Sequence, residues 1–155
     1  MKTSVLILDN IRSVENTGSI FRTAEGLGVS KIYLIGTIPT PLDRFGRKRS
    51  DFAKVSLGAE DGIDWEYSKD IKSVVEELKS QNFQIISLEQ TEDSQNLRDF
   101  KTSKNFALIV GNEVEGVSKE ALRLSDEVVE IKMRGSKESL NVSVALGIAL
   151  FTLAE

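Results

Sequence analysis

Five short runs rich in Val, Ile and Leu recur along the chain: Ser4 to Asp9 (SVLILD), Lys31 to Gly36 (KIYLIG), Phe83 to Leu88 (FQIISL), Phe106 to Gly111 (FALIVG) and Glu127 to Met133 (EVVEIKM). A strand with one wet face alternates apolar with polar residues, so runs like these fit strands buried on both faces, as in a parallel sheet. Helix-like segments lie between them. ENTGSIFRTAEGLG starts near Asn16, a residue able to cap, and closes on Gly28. SKDIKSVVEELKSQN offers Ser68 as a cap and spaces Ile71, Val74, Val75 and Leu78 helically, and SKEALRL (Ser118 to Leu124) is a shorter helix. The alternation predicts an α/β fold, a mostly parallel sheet sandwiched by helices, with ligands at the carboxyl ends of the strands. The polar loops after Asp9, Leu88, Gly111 and Met133 should then open on one edge.

A chain of 155 residues, 40% of them hydrophobic and without repeat or linker, is expected to form a single domain over residues 1–155. It has neither Cys nor His. Disulfides, thiolate or imidazole metal sites, haem and every His-based acid, base or nucleophile are thereby excluded, and no metal is expected. The opening MKTSVLILDN is too short in its apolar part for a signal peptide and meets Asp9 where a cleavage site would stand. The longest apolar run, Val142 to Leu153, is broken by Ser143 and Thr152 and falls below the roughly 20 residues that span a bilayer. The expectation is a cytoplasmic protein with no membrane partner.

Net charge is -4, which argues against indiscriminate binding of nucleic acid. The charge is unevenly spread, however. RFGRKRSDFAK carries Arg44, Arg47, Lys48, Arg49 and Lys54 against the single acid Asp51. This is either a patch for phosphates or a solvated basic loop.

Three polar loops are candidates for chemistry. In the first, Asn16 and Gly18 fit a helix start with free N–H groups, and Arg22 further along could reach an anion; a capped surface helix with a solvated Arg fits the same residues. In the second, LIVGNEVEGVS, a strand ends at Gly111 and is followed by Asn112, Glu113, Gly116 and a capping Ser118, as where backbone must approach something closely. Glu113 is either a functional carboxylate or an acid favoured by the next helix. Nothing completes a Walker or GxGxxG motif. In the third, IKMRGSKESLNVSVA, Gly135 permits unusual backbone angles, Ser139 can cap a helix beginning at Leu140, and Asn141 sits in its first turn. The helix that follows is apolar nearly all round, so its own chain and a second subunit are both expected to cover it.

In order and spacing, ENTGSIFRTA, LIVGNEVEGVS and IKMRGSKESLNVSVA resemble the three motifs of the SpoU (TrmH-like) RNA 2'-O-ribose methyltransferases of the SPOUT class. KVSLGAEDGIDW is similar to a segment found between motifs one and two in many relatives, so the likeness covers essentially the whole chain. One departure is Lys132, where relatives usually carry Pro; it frees a backbone angle and adds a donor.

The resemblance implies a C-terminal trefoil knot, S-adenosylmethionine bound within it, and a homodimer with active sites at the interface. It implies methyl transfer to a ribose 2'-hydroxyl, with tRNA the preferred substrate because the chain matches a catalytic domain without additions. Ribosomal RNA is the alternative substrate, and a catalytically silent RNA-binding module of the same fold the alternative role. Carried over by position, Asn16, Arg22, Glu113, Ser139 and Asn141 match catalytic positions. Leu88, Gly111, Asn112, Ile131, Met133, Ser139 and Leu140 match cofactor contacts. Arg22, Arg44, Arg47, Lys48 and Arg49 are the expected RNA contacts. Arg22 is cast as a phosphate grip, since a guanidinium is too weak a base to take a proton at neutral pH.

Overall fold

The computed structural model describes residues 1–155. The apolar runs form the strands β1 (Ser4–Asp9), β2 (Lys31–Ile35), β4 (Gln84–Leu88), β6 (Phe106–Gly111) and β7 (Glu127–Glu130), the last burying only Val129 and ending short of the expected Met133. Two further strands, β3 (Asp64–Ser68) and the two-residue β5 (Gln95–Asn96), complete a sheet of order β3-β2-β1-β6-β4-β7-β5. Every pairing is parallel, so the expected mostly parallel sheet is wholly parallel. All six residues of β1 and of β6 are buried, which is why both read as unbroken apolar runs.

Helices cover both faces. On one lie α1 (Val14–Gly26), α2 (Ser50–Ser56), α3 (Ala59–Gly62) and α6 (Val142–Leu153), packing Ile20, Phe21, Phe52, Leu146 and Leu150 against Leu6, Leu8 and Leu108 of the sheet. On the other lie α4 (Ile71–Ser80) and α5 (Lys119–Leu124), packing Val74, Val75, Leu78 and Ala121 against Val5, Ile7 and Ile109. Apolar burial of this extent contributes about 25 cal/mol per Å² and holds both layers on the sheet.

Three helix starts differ from the sequence expectation. Ser13, not Asn16, caps α1, its hydroxyl accepting from the Asn16 N–H at 3.1 Å. Asp70, not Ser68, caps α4 by accepting from Lys72 N–H. Asn141, not Ser139, caps α6, accepting from Ser143 N–H at 2.9 Å, and the helix begins at Val142. In each case the cap lies two or three residues before the N–H it satisfies, the reach a short side chain allows. The expected cap Ser118 does cap α5, its hydroxyl accepting from Ala121 N–H. No helix is long and apolar enough to cross a membrane.

Candidate active site

Because all strands run the same way, their carboxyl ends share one edge, and Asp9 of β1 stands in register beside Gly111 of β6. Asp9 is buried, and its carboxylate accepts from the Ser118 N–H at 2.9 Å. That bond ties the start of α5 to the end of β1.

The turn after β6 is held by its own residues. The Asn112 and Gly116 N–H groups donate to each other's carbonyls at 3.0 and 2.9 Å, and the Asn112 side chain accepts from Val114 and Glu115 N–H while donating to Asn10 O. A Cβ on Gly111 would lie 2.2 Å from the Gly116 carbonyl carbon, so only glycine fits there. Gly116 has φ +75°, the left-handed region that favours glycine. The close backbone approach expected of this turn is therefore real.

Glu113 projects from that turn to the start of α1. Its carboxylate accepts from Arg12 N–H at 3.0 Å, from Ser13 N–H at 2.8 Å and from the Asn16 amide at 3.3 Å. Asn16 in turn accepts from the Asn141 side chain at 3.1 Å. One chain of hydrogen bonds thus joins a residue from each of the three polar loops. Partial burial raises the Glu113 pKa, but the donors at Arg12, Glu113 itself, Ser13 and Asn16 outweigh it and hold the carboxyl below its ordinary value.

The three loops enclose a pocket of about 520 Å³. Asn16, Gly111, Asn112 and Glu113 line one side, and Leu88, Ile131, Met133, Ser139, Leu140 and Asn141 line the rest. Ten expected positions therefore meet in one cavity. Gly135 does not join them: its φ lies outside the left-handed region, and a Cβ on it would meet nothing within 4 Å.

Arg22 lies elsewhere. It is exposed on α1, about 9 Å along the axis from Asn16 at the usual helical rise. Arg44, Arg47, Lys48 and Arg49 lie on the connection from β2 to α2, also away from the pocket. Three of these four cations are paired, Arg47 with Asp43 at 3.1 Å, Lys48 with Asp61 at 2.6 Å and Arg49 with Asp51 at 2.7 Å. The patch is far less free than its sequence suggests.

Sequence reasoning missed Glu89, Gln90, Glu115 and Glu130, which also line the pocket. Gln90 donates to Glu138 O at 3.0 Å and ties the end of β4 to the third loop. Glu89, half-buried, accepts weakly from Val117 N–H at 3.4 Å, and burial pushes its carboxyl up. Position was the only available signal, because Glu89 and Gln90 follow Leu88 directly at a strand end. With Glu113, the pocket carries four carboxylates and no Lys or Arg.

A cavity at the carboxyl edge of an open parallel sheet, walled by strand-end turns and lined with acids, defines an α/β protein built to hold a small, cation-bearing ligand. Residues 3–151 match the model of the SpoU rRNA Methylase family, and the chain belongs to that family. It is 32% identical over 154 residues to a tRNA (guanosine(18)-2'-O)-methyltransferase of Aquifex aeolicus, a match covering 97% of this chain and 68% of that protein. It is 31% identical to the 23S rRNA (guanosine-2'-O-)-methyltransferase RlmB of Escherichia coli K12, covering 95% of this chain and 58% of that one. The crystal structure of an AdoMet-bound rRNA methyltransferase from Sinorhizobium meliloti superposes with a TM-score of 0.86 at 26% identity, covering 97% of this chain and 55% of that one. The chain thus spans between about half and two thirds of the length of these proteins.

Proposed function

We propose that this chain is an S-adenosylmethionine-dependent RNA methyltransferase that acts on a ribose 2'-hydroxyl, with tRNA as its substrate, in the cytoplasm. The observation that carries the reading is the convergence of all three motif loops on one cavity whose charged lining is wholly acidic. S-adenosylmethionine bears a sulfonium and an ammonium, so four carboxylates without a competing cation favour it over a phosphate-bearing cofactor. Leu88, Ile131, Leu140 and Val142 supply apolar surface for an adenine ring. Bound there, the cofactor would supply a methyl already activated by positive sulfur, so that in-line attack by the 2'-oxygen yields a 2'-O-methyl nucleotide and S-adenosylhomocysteine.

The chain's own residues chiefly position. Glu113 holds the first turn of α1 and orients Asn16, and Asn16 orients Asn141. Ser139 and Asn141 edge the pocket where the ribose would enter. Leu88, Gly111, Asn112, Ile131, Met133 and Leu140 would contact the cofactor. Arg22 grips the phosphate beside the target ribose and stabilises the developing alkoxide, and the hydroxyl proton leaves to water or a phosphate oxygen. Arg44, Arg47, Lys48 and Arg49 contact RNA, whose phosphates are able to displace the exposed Asp61 from Lys48 and Asp51 from Arg49 because such surface pairs are worth about 0–1 kcal/mol.

The functional unit is a homodimer, and residues 1–155 form one catalytic domain. Exposed Val144, Ile148 and Phe151 on α6 support a second copy docked there, and Arg22, outside the pocket of its own chain, fits a site completed across that interface. The C-terminal path is proposed to be the trefoil knot. In its support, β7 pairs with both β4 and β5, with α5 before it on one face of the sheet and α6 after it on the other.

Ribosomal RNA is the second reading, favoured by the 31% identity to RlmB. The test is calorimetric titration with S-adenosylmethionine, followed by nucleoside mass spectrometry of bulk tRNA and rRNA incubated with protein and cofactor. Saturable binding and a new 2'-O-methylnucleoside in tRNA are expected. No cofactor binding rejects the reading, and binding without transfer to either RNA leaves the silent module.

A further inference from the structure

The connection from β2 to α2 carries one residue that no role above uses. Phe45 is 66% exposed at the tip of a tight turn. Asp43 builds that turn: its carboxylate accepts from Phe45 N–H at 2.8 Å and Arg47 N–H at 3.0 Å, and Leu42 bridges Lys48 across its base. The ring is therefore held out by a preformed structure. Two guanidiniums flank it, the Arg44 and Arg47 carbons lying 4.8 and 4.9 Å from its centroid. Beneath the turn is an open groove of about 770 Å³, with Ile38, Leu42, Trp65 and Tyr67 among its walls.

The two arginines are not equivalent. Arg47 is anchored to Asp43, so it stays beside the ring, whereas the Arg44 guanidinium makes no hydrogen bond or ion pair and is free to leave. An exposed aromatic ring with one fixed and one movable guanidinium suits a flat π-system followed by a phosphate. Single-stranded nucleic acid offers that alternation, its bases stacking on aromatic or guanidinium planes. A double helix, whose bases are already stacked on one another, does not.

The groove also lies on the edge used by the pocket, because β2 and β3 run parallel to β6 and β4. In the sheet order β2 stands three strands from β4, about 14 Å at the usual spacing. A strand of RNA whose ribose is held at the pocket can thus reach the groove within a few nucleotides.

We propose that Phe45, with Arg44 and Arg47 and the groove below, forms a second RNA subsite that stacks an unpaired base a few nucleotides from the methylated one. The proposal rests on the RNA methyltransferase reading above and narrows its substrate to RNA with an unpaired segment beside the target. Phe45 is exposed, so its replacement leaves the fold intact.

Binding of a short mixed-sequence single-stranded RNA, and of the blunt-ended duplex made from it, is to be measured by fluorescence anisotropy with saturating S-adenosylmethionine. Phe45→Ala is expected to weaken single-strand binding about tenfold, the scale of one base–aromatic stack, with duplex binding unchanged and the cofactor titration identical to wild type. Phe45→Trp should match or exceed wild type, and Phe45→Leu should behave as Phe45→Ala. An unchanged Phe45→Ala affinity overturns the inference, as does an equal loss for both RNAs. Rescue by Leu overturns it too, because the contact is then apolar burial of the kind a protein partner would use. A wild type that binds cofactor and methylates RNA while Phe45→Ala behaves identically sinks this subsite alone. A wild type that binds neither RNA also overturns the subsite, and the methyltransferase reading then stands or falls separately, on the cofactor titration and the nucleoside analysis above.

Discussion

Helices α4 and α6 pack on opposite faces of the same sheet and treat their outer surfaces in opposite ways. α4 buries Ile71, Val74, Val75 and Leu78 and presents Lys72, Glu76, Glu77 and Lys79 to solvent. α6 buries Leu146, Ala149, Leu150 and Leu153, yet its outward positions are Val144, Ile148 and Phe151, which are 52%, 43% and 62% exposed. A helix that needs only its own sheet carries one apolar stripe, as α4 does. A second apolar face on α6 is explained by a second partner. The difference divides the molecule into a self-sufficient face and a face that fits the proposed dimer.

The largest effect should follow from charging that second face. Ile148→Glu/Phe151→Glu is expected to convert a dimer to a monomer in sedimentation analysis and to lower methyl transfer on the order of a hundredfold or more, since small misplacements at a shared site cost that much. Glu77→Lys on α4 should change neither. A double variant that remains dimeric, or a monomer that keeps full activity, would erase the distinction between the faces.

Buried positions come next and should make the two helices look alike. Leu78→Ala and Leu150→Ala each remove an isobutyl group from a packed core and are expected to lose roughly 2–5 kcal/mol in denaturant unfolding. Mass action then tests the proposed dimer: association stabilises the whole folded chain, so raising protein concentration should raise the Tm of wild type, of Leu78→Ala and of Leu150→Ala alike. Concentration-independent melting of all three would count against the dimer.

The same division governs how much the sequence disclosed. Central strands are buried on both sides, so their apolar runs declare them, whereas β3 (DWEYS) and the two-residue β5 carry no such run, and what places them beside β2 and β7 is ladder pairing together with contacts to distant residues, Lys31 with Glu66 and Gln95 with Glu127. The short helices α2 and α3 bury only Phe52, Ser56 and Ala59 and leave no periodic signature. At the site, motif residues were legible because type and spacing mark them. Glu89 and Glu130 were not, since only the convergence of strand ends brings them to the cavity. The ion pairing of the basic loop was hidden for a related reason: Lys48 finds its acid at Asp61, on a helix whose approach the sequence does not announce.

Helix caps give a smaller contrast. Asp70→Ala at α4 and Asn141→Ala at α6 should each cost about 1 kcal/mol, the usual worth of an N-cap. Asp70 serves only its own helix and turn, so cofactor affinity should be untouched. Asn141 also donates to Asn16, so its loss should weaken both cofactor binding and transfer, and Asn141→Ser should restore the cap without restoring transfer. Equal activity in the two alanine variants would show that the bond between Asn16 and Asn141 is idle.

The smallest effects are electrostatic, and they run in opposite directions across the pocket. Glu113 is bound by donors at the start of α1, on the α6 face, and its folded pKa is lowered. It therefore contributes stability above the ordinary carboxylate value of about 4.3, and that contribution is lost as pH falls through the lower folded value. Glu89 reaches Val117, whose side chain belongs to the α4 face, and burial raises its folded pKa. It weakens the fold while ionised, and protonation relieves that burden as pH falls through the raised value toward 4.3. Glu113→Gln should consequently lower the neutral Tm and flatten its acid decline, whereas Glu89→Gln should raise the neutral Tm slightly and steepen that decline. If Glu89 nonetheless serves the cofactor, the Glu89→Gln protein will be more stable and yet bind S-adenosylmethionine more weakly. Parallel melting curves for the two variants between neutral and acid pH would mean that the pocket's acids are interchangeable, and its charge would then be no guide to the ligand it holds.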